Sequence, residues 1–169
     1  MSTKMPRART RPLMRRRRAP REWVQHPIFV YGTLRPGQPN YGPFIGYYTV
    51  AILPALISGM TLYSLGAYPV MVESKGDSQV RGEVIILHPA AYYRVRLRLD
   101  QLEGCAPGEE TGLYRRVKRQ VKLINSSSEA LVWCYLGNPE ALAKYPHTPI
   151  PEGDWGVYLQ EREISAKHD

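Results

Sequence analysis

Between Tyr48 and Leu87 the chain offers strand-like runs in close succession, joined by short turns. Tyr48 to Leu53, Met60 to Leu65, Tyr68 to Glu73 and Gln79 to Leu87 are rich in β-branched and aromatic residues. Gly66-Ala67 and Lys75-Gly76-Asp77-Ser78 punctuate them as turns. A parallel sheet needs a crossover of a dozen or more residues between neighbouring strands, usually a helix, and these connections are too short. The pattern therefore predicts an antiparallel or mixed sheet rather than repeated βαβ units.

The flanking segments extend that reading. Ile28-Phe29-Val30-Tyr31 is a short apolar run that stops at Gly32, as a buried first strand would. Arg35 to Gly46 carries Gly37, Gly42 and Gly46 with Pro36, Pro39 and Pro43, and reads as a loop. Leu113 to Ile124 and Glu129 to Leu136 flank Asn125-Ser126-Ser127-Ser128 as the arms of a hairpin. His88 to Gly104 carries two signals. Arg94 to Leu99 alternates with period two, which favours a strand, whereas Tyr92, Val95, Leu99 and Leu102 recur at helical spacing. Pro89 suits a first helical turn and Gly104 a C-terminal stop, so the segment is read as a helix. Pro146 to Asp154 shows little pattern, and Trp155 and Tyr158 are expected to pin it to the body. The expected organisation is a tail at 1–26, one domain at 27–160 and a second tail at 161–169.

Charge has to be located before it is interpreted. The net formal charge is +8, but 9 of the 23 Lys and Arg residues lie between Met1 and Arg21, with no acid among them. The remainder holds 14 basic against 15 acidic residues, near neutrality. A basic arm of this kind can bind polyanions weakly without ordered structure, so residues 1–21 are the candidate for such contact. Pro6, Pro12 and Pro20 interrupt it, and it has no apolar face or signal-peptide core. The longest apolar stretch, Val50 to Leu56, is broken by Pro54 and is too short for a membrane-spanning helix. Cys105 and Cys134 form no disulfide framework, and His26, His88, His147 and His168 are scattered. No metal site is expected, and a reducing cytoplasm is the expected location.

Two segments could carry chemistry. A strand ending in Tyr31-Gly32-Thr33-Leu34 can turn its backbone amides toward a ligand, forming a concave donor set for a carboxylate or an oxyanion. It lacks the Gly-Lys-Ser/Thr ending of a phosphate loop. In Leu99-Asp100-Gln101-Leu102-Glu103-Gly104, Glu103 would occupy the last turn of a helix. The helix dipole and partial burial would both disfavour its charged form and bring it toward the range useful for proton transfer near pH 7. Each segment also has a plain reading, a strand-end turn and a solvated helix end. Glu83 is a second candidate carboxylate, and Tyr114 a candidate cavity residue. Asp100 is expected to cap the helix or face solvent, Cys105 to be a packed thiol, and Arg115, Arg116, Lys118, Arg119 and Lys122 to form mainly one solvated strand face.

Taken in order, the motifs resemble a known set. Val30 to Asn40 resembles the opening motif of the γ-glutamyl cyclotransferase-like superfamily, in its AIG2-like and γ-glutamylamine cyclotransferase branch. Ala67-Tyr68-Pro69-Val70, Arg81-Gly82-Glu83-Val84, Leu99 to Gly104 with Tyr114-Arg115-Arg116-Val117, and Gly153-Asp154-Trp155 follow in the family's order. The resemblance spans Pro27 to Tyr158. It implies an α+β fold: a small mixed, partly closed β-barrel with flanking helices. It also implies Glu103 as acid/base, Tyr31, Gly32, Thr33 and Leu34 as the cradle of a small-molecule γ-glutamyl substrate, and no cofactor. The implied reaction releases 5-oxoproline and an amine or amino acid. The Arg-rich tail, the segment from Asn40 to Phe44 and the loop from Cys105 to Gly112 depart from the family's pattern. Two other classes fit the sequence: a non-catalytic binding module on the same fold, and a nucleic-acid-associated protein acting through its tail.

Overall fold

The computed structural model describes residues 24–105 and 112–167. The basic segment 1–21 lies outside the described residues, as does most of the loop after Cys105.

Five strands form a closed barrel in the order β1-β5-β2-β6-β7, comprising β1 (Ile28–Val30), β5 (Gln79–Leu87), β2 (Thr49–Ser58), β6 (Tyr114–Leu123) and β7 (Glu129–Gly137). Neighbours are antiparallel except at the seam, where Ile28 of β1 pairs with Trp133 of β7 in parallel. A separate antiparallel sheet runs β4-β3-β8, from β3 (Met60–Ser64), β4 (Pro69–Glu73) and β8 (Thr148–Ile150). Helices α1 (Tyr41–Phe44), α2 (Tyr92–Leu102), α3 (Pro139–Leu142) and α4 (Trp155–Ala166) flank them. This is the mixed α+β barrel the motifs implied. Its ring closes through narrow seams, with β2 and β6 in register only at Ala55–Leu123 and Leu56–Lys122.

Several elements differ from expectation for physical reasons. Strand β2 continues through Pro54 to Ser58. Proline has no N–H to give a ladder, but here its carbonyl accepts from Ile124 N at 2.8 Å, so the useful half of the residue is retained. The Arg35–Gly46 loop contains the single turn α1, followed by a 3-10 turn at Gly46–Tyr48. Helix settles the ambiguity at 88–104, because Tyr92, Val95 and Leu99 are buried together at helical spacing. The hairpin forms as expected, with Asn125 in the left-handed conformation at φ 63°.

Helix α4 runs to Ala166, so residues 161–166, expected as a tail, are helical. Trp155 is the only buried residue of that helix, with Tyr158 and Leu159 partly buried beside it, and the exposed turns beyond them carry no apolar stripe to reveal them. What starts it is Asp154, whose carboxylate accepts from Gly156 N at 2.8 Å and Val157 N at 3.4 Å. Trp155 then stacks on Tyr158, with ring centroids 5.4 Å apart.

Asp154 also joins an ion cluster. Arg35 donates to both oxygens of Glu83 at 2.8 Å and to Asp154 at 2.7 Å, tying the start of the Arg35–Gly46 loop to β5 and to the N-terminus of α4. Burial pushes the Asp154 carboxyl up, but the Arg35 hydrogen bond and charge, together with the two amides, outweigh it and hold it below the usual range. The stability this provides is present above the ordinary carboxylate pKa and is lost as pH falls through the lowered one. Asp154→Ala is expected to cost about 1–2 kcal/mol at pH 7, with the difference from wild type shrinking below about pH 4. Urea midpoints measured across that range check it.

Candidate active site

The first strand ends where the barrel opens. Tyr31 is buried, and its hydroxyl donates to Tyr135 O on β7 at 2.7 Å while accepting from Met71 N at 3.4 Å. The chain then turns, with Arg35 N donating to Gly32 O at 3.0 Å, and Asn40 fastens the turn by donating to Thr33 O at 3.0 Å and Thr33 Oγ1 at 3.1 Å. Leu34 is buried beneath it. Among the described residues nothing accepts a hydrogen bond from the amides of Gly32, Thr33 and Leu34.

Gly32 serves close approach rather than an unusual backbone angle, since it is not in the left-handed region. A Cβ there would lie 2.6 Å from Pro69 Cγ and 2.9 Å from Pro69 Cδ. Glycine lets the Tyr-Gly-Thr turn and the Tyr68-Pro69 turn meet along one wall.

Those two turns, the C-terminal end of α2 and the start of β6 enclose a cavity of about 610 Å³, within the usual range for small-molecule sites. Tyr31, Gly32, Thr33, Leu34, Glu103 and Tyr114 all line it. Glu103 is the only carboxylate among the described lining residues, and none of those residues is Lys, Arg or His. Glu103 occupies the C-cap of α2, its backbone N–H donating to Leu99 O at 2.9 Å. Burial raises its carboxyl to about 7. Tyr114 donates its hydroxyl to Pro69 O at 2.9 Å. Its phenol is pushed well up, mainly by burial and next by the nearby Glu103 charge. Tyr31 is raised for the same leading reason.

Glu83 is not brought to this cavity. Both of its oxygens are taken by Arg35, the residue that follows the Tyr31–Leu34 turn, and it does not line the cavity. Asp100 does not face solvent. It is 7% exposed and bonded to Tyr135 and Arg116. The basic stripe of β6 is likewise not simply solvated: Arg116 pairs with Asp100, Arg115 and Arg119 pair with Glu73, and Arg116 and Lys118 both lie 4.8 Å from the Trp133 ring centroid. The Cys105 thiol is half-buried, donates to Tyr114 O at 3.1 Å and is pushed up to about 11 by burial, as suits a packed thiol.

Sequence reasoning missed Tyr135 as a cavity residue. It lies on a strand 32 positions beyond Glu103, and only barrel closure brings the two together. It also missed the Arg35–Glu83–Asp154 cluster, although each member falls within a motif segment.

Comparison with known proteins gives the fold and the family. The family model for "Gamma-glutamyl cyclotransferase, AIG2-like" matches residues 28–157, from the first strand to the start of α4. A Vibrio cholerae serotype O1 protein named "Putative gamma-glutamylcyclotransferase" is 32% identical over 124 residues, covering 66% of this chain and 97% of that protein. Among solved structures, an uncharacterised protein of Pyrococcus horikoshii superposes with a TM-score of 0.57 at 22% identity, covering 82% of this chain and 97% of that one. An AIG2-like protein of Mus musculus gives 0.53 at 24% identity, covering 73% and 85%. At those identities the two structures speak for the fold, and the family model and the V. cholerae relative speak for the lineage. This chain belongs to the AIG2-like gamma-glutamyl cyclotransferase family.

Proposed function

We propose that the protein cyclises the γ-glutamyl group of a small molecule to 5-oxoproline and releases the amine or amino acid attached to it, with Glu103 as general base and then general acid. The observation that carries this reading is the sharing of one cavity by a partly buried, unpaired carboxylate and the free amides of the Tyr31–Leu34 turn. Family membership supports a cyclotransferase-like activity.

The chemistry follows from those two features. The substrate's α-ammonium must lose a proton before its nitrogen can attack the γ-carbonyl carbon of the same residue, and Glu103 with a carboxyl near 7 is placed to take it. As the C–N bond forms, negative charge moves to the carbonyl oxygen, where loop amides can receive it. Collapse of the tetrahedral intermediate breaks the bond to the leaving nitrogen; Glu103 returns its proton to that nitrogen, and the ring nitrogen gives up its second proton to the released amine, leaving a neutral lactam and an ammonium. Attack within one molecule avoids the entropy of bringing two together, so holding the glutamyl chain folded accomplishes much of the work.

The test is 5-oxoproline release from γ-glutamylamine, γ-glutamyl-amino-acid and glutathione panels. Failure of every substrate would overturn the reading. Where a substrate reacts, kcat/KM is expected to rise with pH through about 7, tracking ionisation of Glu103 in the free enzyme. A profile flat from pH 5 to 8 would assign the proton transfer to another group.

A further inference from the structure

Ser64 and Asp100 are the polar side chains buried in the described core. Ser64 is accounted for by the turn it closes, its Oγ accepting from Gly66 N at 3.0 Å. Asp100 has no local task of that kind. Its carboxylate is held by two strands of the barrel: Oδ1 accepts from the Tyr135 hydroxyl on β7 at 2.8 Å, and Oδ2 accepts from Arg116 on β6. Arg116 is itself fixed over the Trp133 ring.

Burying a carboxylate is costly unless it is paired and hydrogen-bonded, and a solvent-facing residue at position 100 would serve α2 as a helix equally well. What the buried one achieves is placement. Asp100 lies three residues before Glu103, so the two neighbour each other on the last turn of α2. Cys105 N donates to Asp100 O at 2.8 Å, closing the chain around that turn just after Glu103. Tyr135 lines the cavity, and its carbonyl accepts the hydroxyl of Tyr31. One residue of β7 thus touches the substrate turn through its backbone and the Glu103 helix through its side chain.

We propose that Asp100 is the positioning residue for Glu103, clamping the last turn of α2 to β6 and β7 through Arg116 and Tyr135, and so setting Glu103 against the Tyr31–Leu34 turn. The inference rests on the cyclisation proposed above for Glu103. It has an electrostatic consequence that a purely structural clamp lacks. The groups facing Glu103 are the phenols of Tyr31, Tyr114 and Tyr135 and the Cys105 thiol, with Tyr68 on the same cavity wall as Pro69, and the Asp100–Arg116 ion pair lies one turn back along α2. Removing the Asp100 charge leaves the Arg116 cation to favour ionised Glu103. Removing the Arg116 charge leaves Asp100 to oppose it.

The test follows the Glu103 carboxyl by carbon NMR in wild type, Asp100→Asn and Arg116→Gln, alongside kcat and KM for 5-oxoproline release in these and in Tyr135→Phe. The Glu103 titration is expected to move down by about half a pH unit or more in Asp100→Asn and up by a similar amount in Arg116→Gln. In Asp100→Asn and Tyr135→Phe, kcat is expected to fall about tenfold or more while KM stays within about threefold. A Glu103 titration unmoved by both charge changes, or a wild-type kcat in Tyr135→Phe, would overturn the proposal. Tyr135→Phe removes a single oxygen, so it decides the matter even if Asp100→Asn fails to fold. The NMR titration needs no turnover, so absence of 5-oxoproline with every enzyme would sink the cyclisation while still judging the clamp.

Discussion

Glu103→Gln is expected to lower 5-oxoproline release by about 10²-fold or more while making the folded protein more stable at neutral and alkaline pH. The two effects share one cause. The cavity partly buries Glu103 without an ion-pair partner among the described residues, and that desolvation raises its carboxyl from 4.5 to about 7. Between those values the folded protein holds a proton that the unfolded chain has released. Stability therefore falls as pH rises from about 4.5 to about 7 and is level above that, so far as this group is concerned. The penalty at pH 8 is about 3.5 kcal/mol at most, taking about 1.4 kcal/mol per pH unit over the rise from 4.5 to about 7. Glutamine keeps the shape and cannot ionise, so the penalty disappears. Thermal or urea unfolding of both proteins from pH 4.5 to 8.5 should show curves that nearly coincide at the acid end and separate as pH rises. A variant that loses activity without gaining stability at pH 8 would mean that the carboxylate is better solvated than its burial implies. A variant that keeps its activity would move the proton-transfer role elsewhere. Glu83 does not stand ready to take it, since Arg35 holds both of its oxygens.

Gly82→Ala is expected to cost more than about 3 kcal/mol and to leave little folded protein at physiological temperature. Gly82 sits in β5 opposite Ala55 of β2, and its other side faces β1. A Cβ there would strike the backbone carbonyl oxygen of Val30 and lie 2.7 Å from Phe29 Cζ and 2.9 Å from Phe29 Cε2. A flexible side chain could move aside, but the Val30 carbonyl belongs to a three-residue strand buried throughout its length. Moving it displaces the strand that delivers Tyr31 to the cavity, so residual folded protein is also expected to lose activity. Gly76→Ala provides the control. Nothing lies within 4 Å of the added carbon there, and a change within about 0.5 kcal/mol is expected. Equal losses for both substitutions, read by urea denaturation, would show that the Val30 contact does not set the cost at Gly82.

Local chemistry made much of this molecule legible before its fold was known. The strands from Met60 to Leu87 and the 125–128 turn announced themselves through β-branched runs and turn residues, which act over a few positions. Glu103 at a helix end and the Tyr31–Leu34 turn were readable for the same reason, and the ordered motifs carried the family. The end of α4 was not readable, because residues 160–166 are exposed and leave no apolar periodicity. Strand β2 was cut short at Pro54 because the missing N–H was visible in the chain, whereas the accepting use of its carbonyl was not.

The sequence by itself determined which elements form and which two segments could do chemistry, because propensity, turn preference and residue type are properties of short stretches. Only the tertiary structure decided what those segments meet. Barrel closure brings Tyr135 of β7 to the cavity, turns Asp100 inward between β6 and β7, and sends Glu83 to Arg35 instead of the site. Those outcomes rest on strand order and on which side of a strand or helix is buried. Both are settled by the packing of segments far apart in the chain, which no local pattern records.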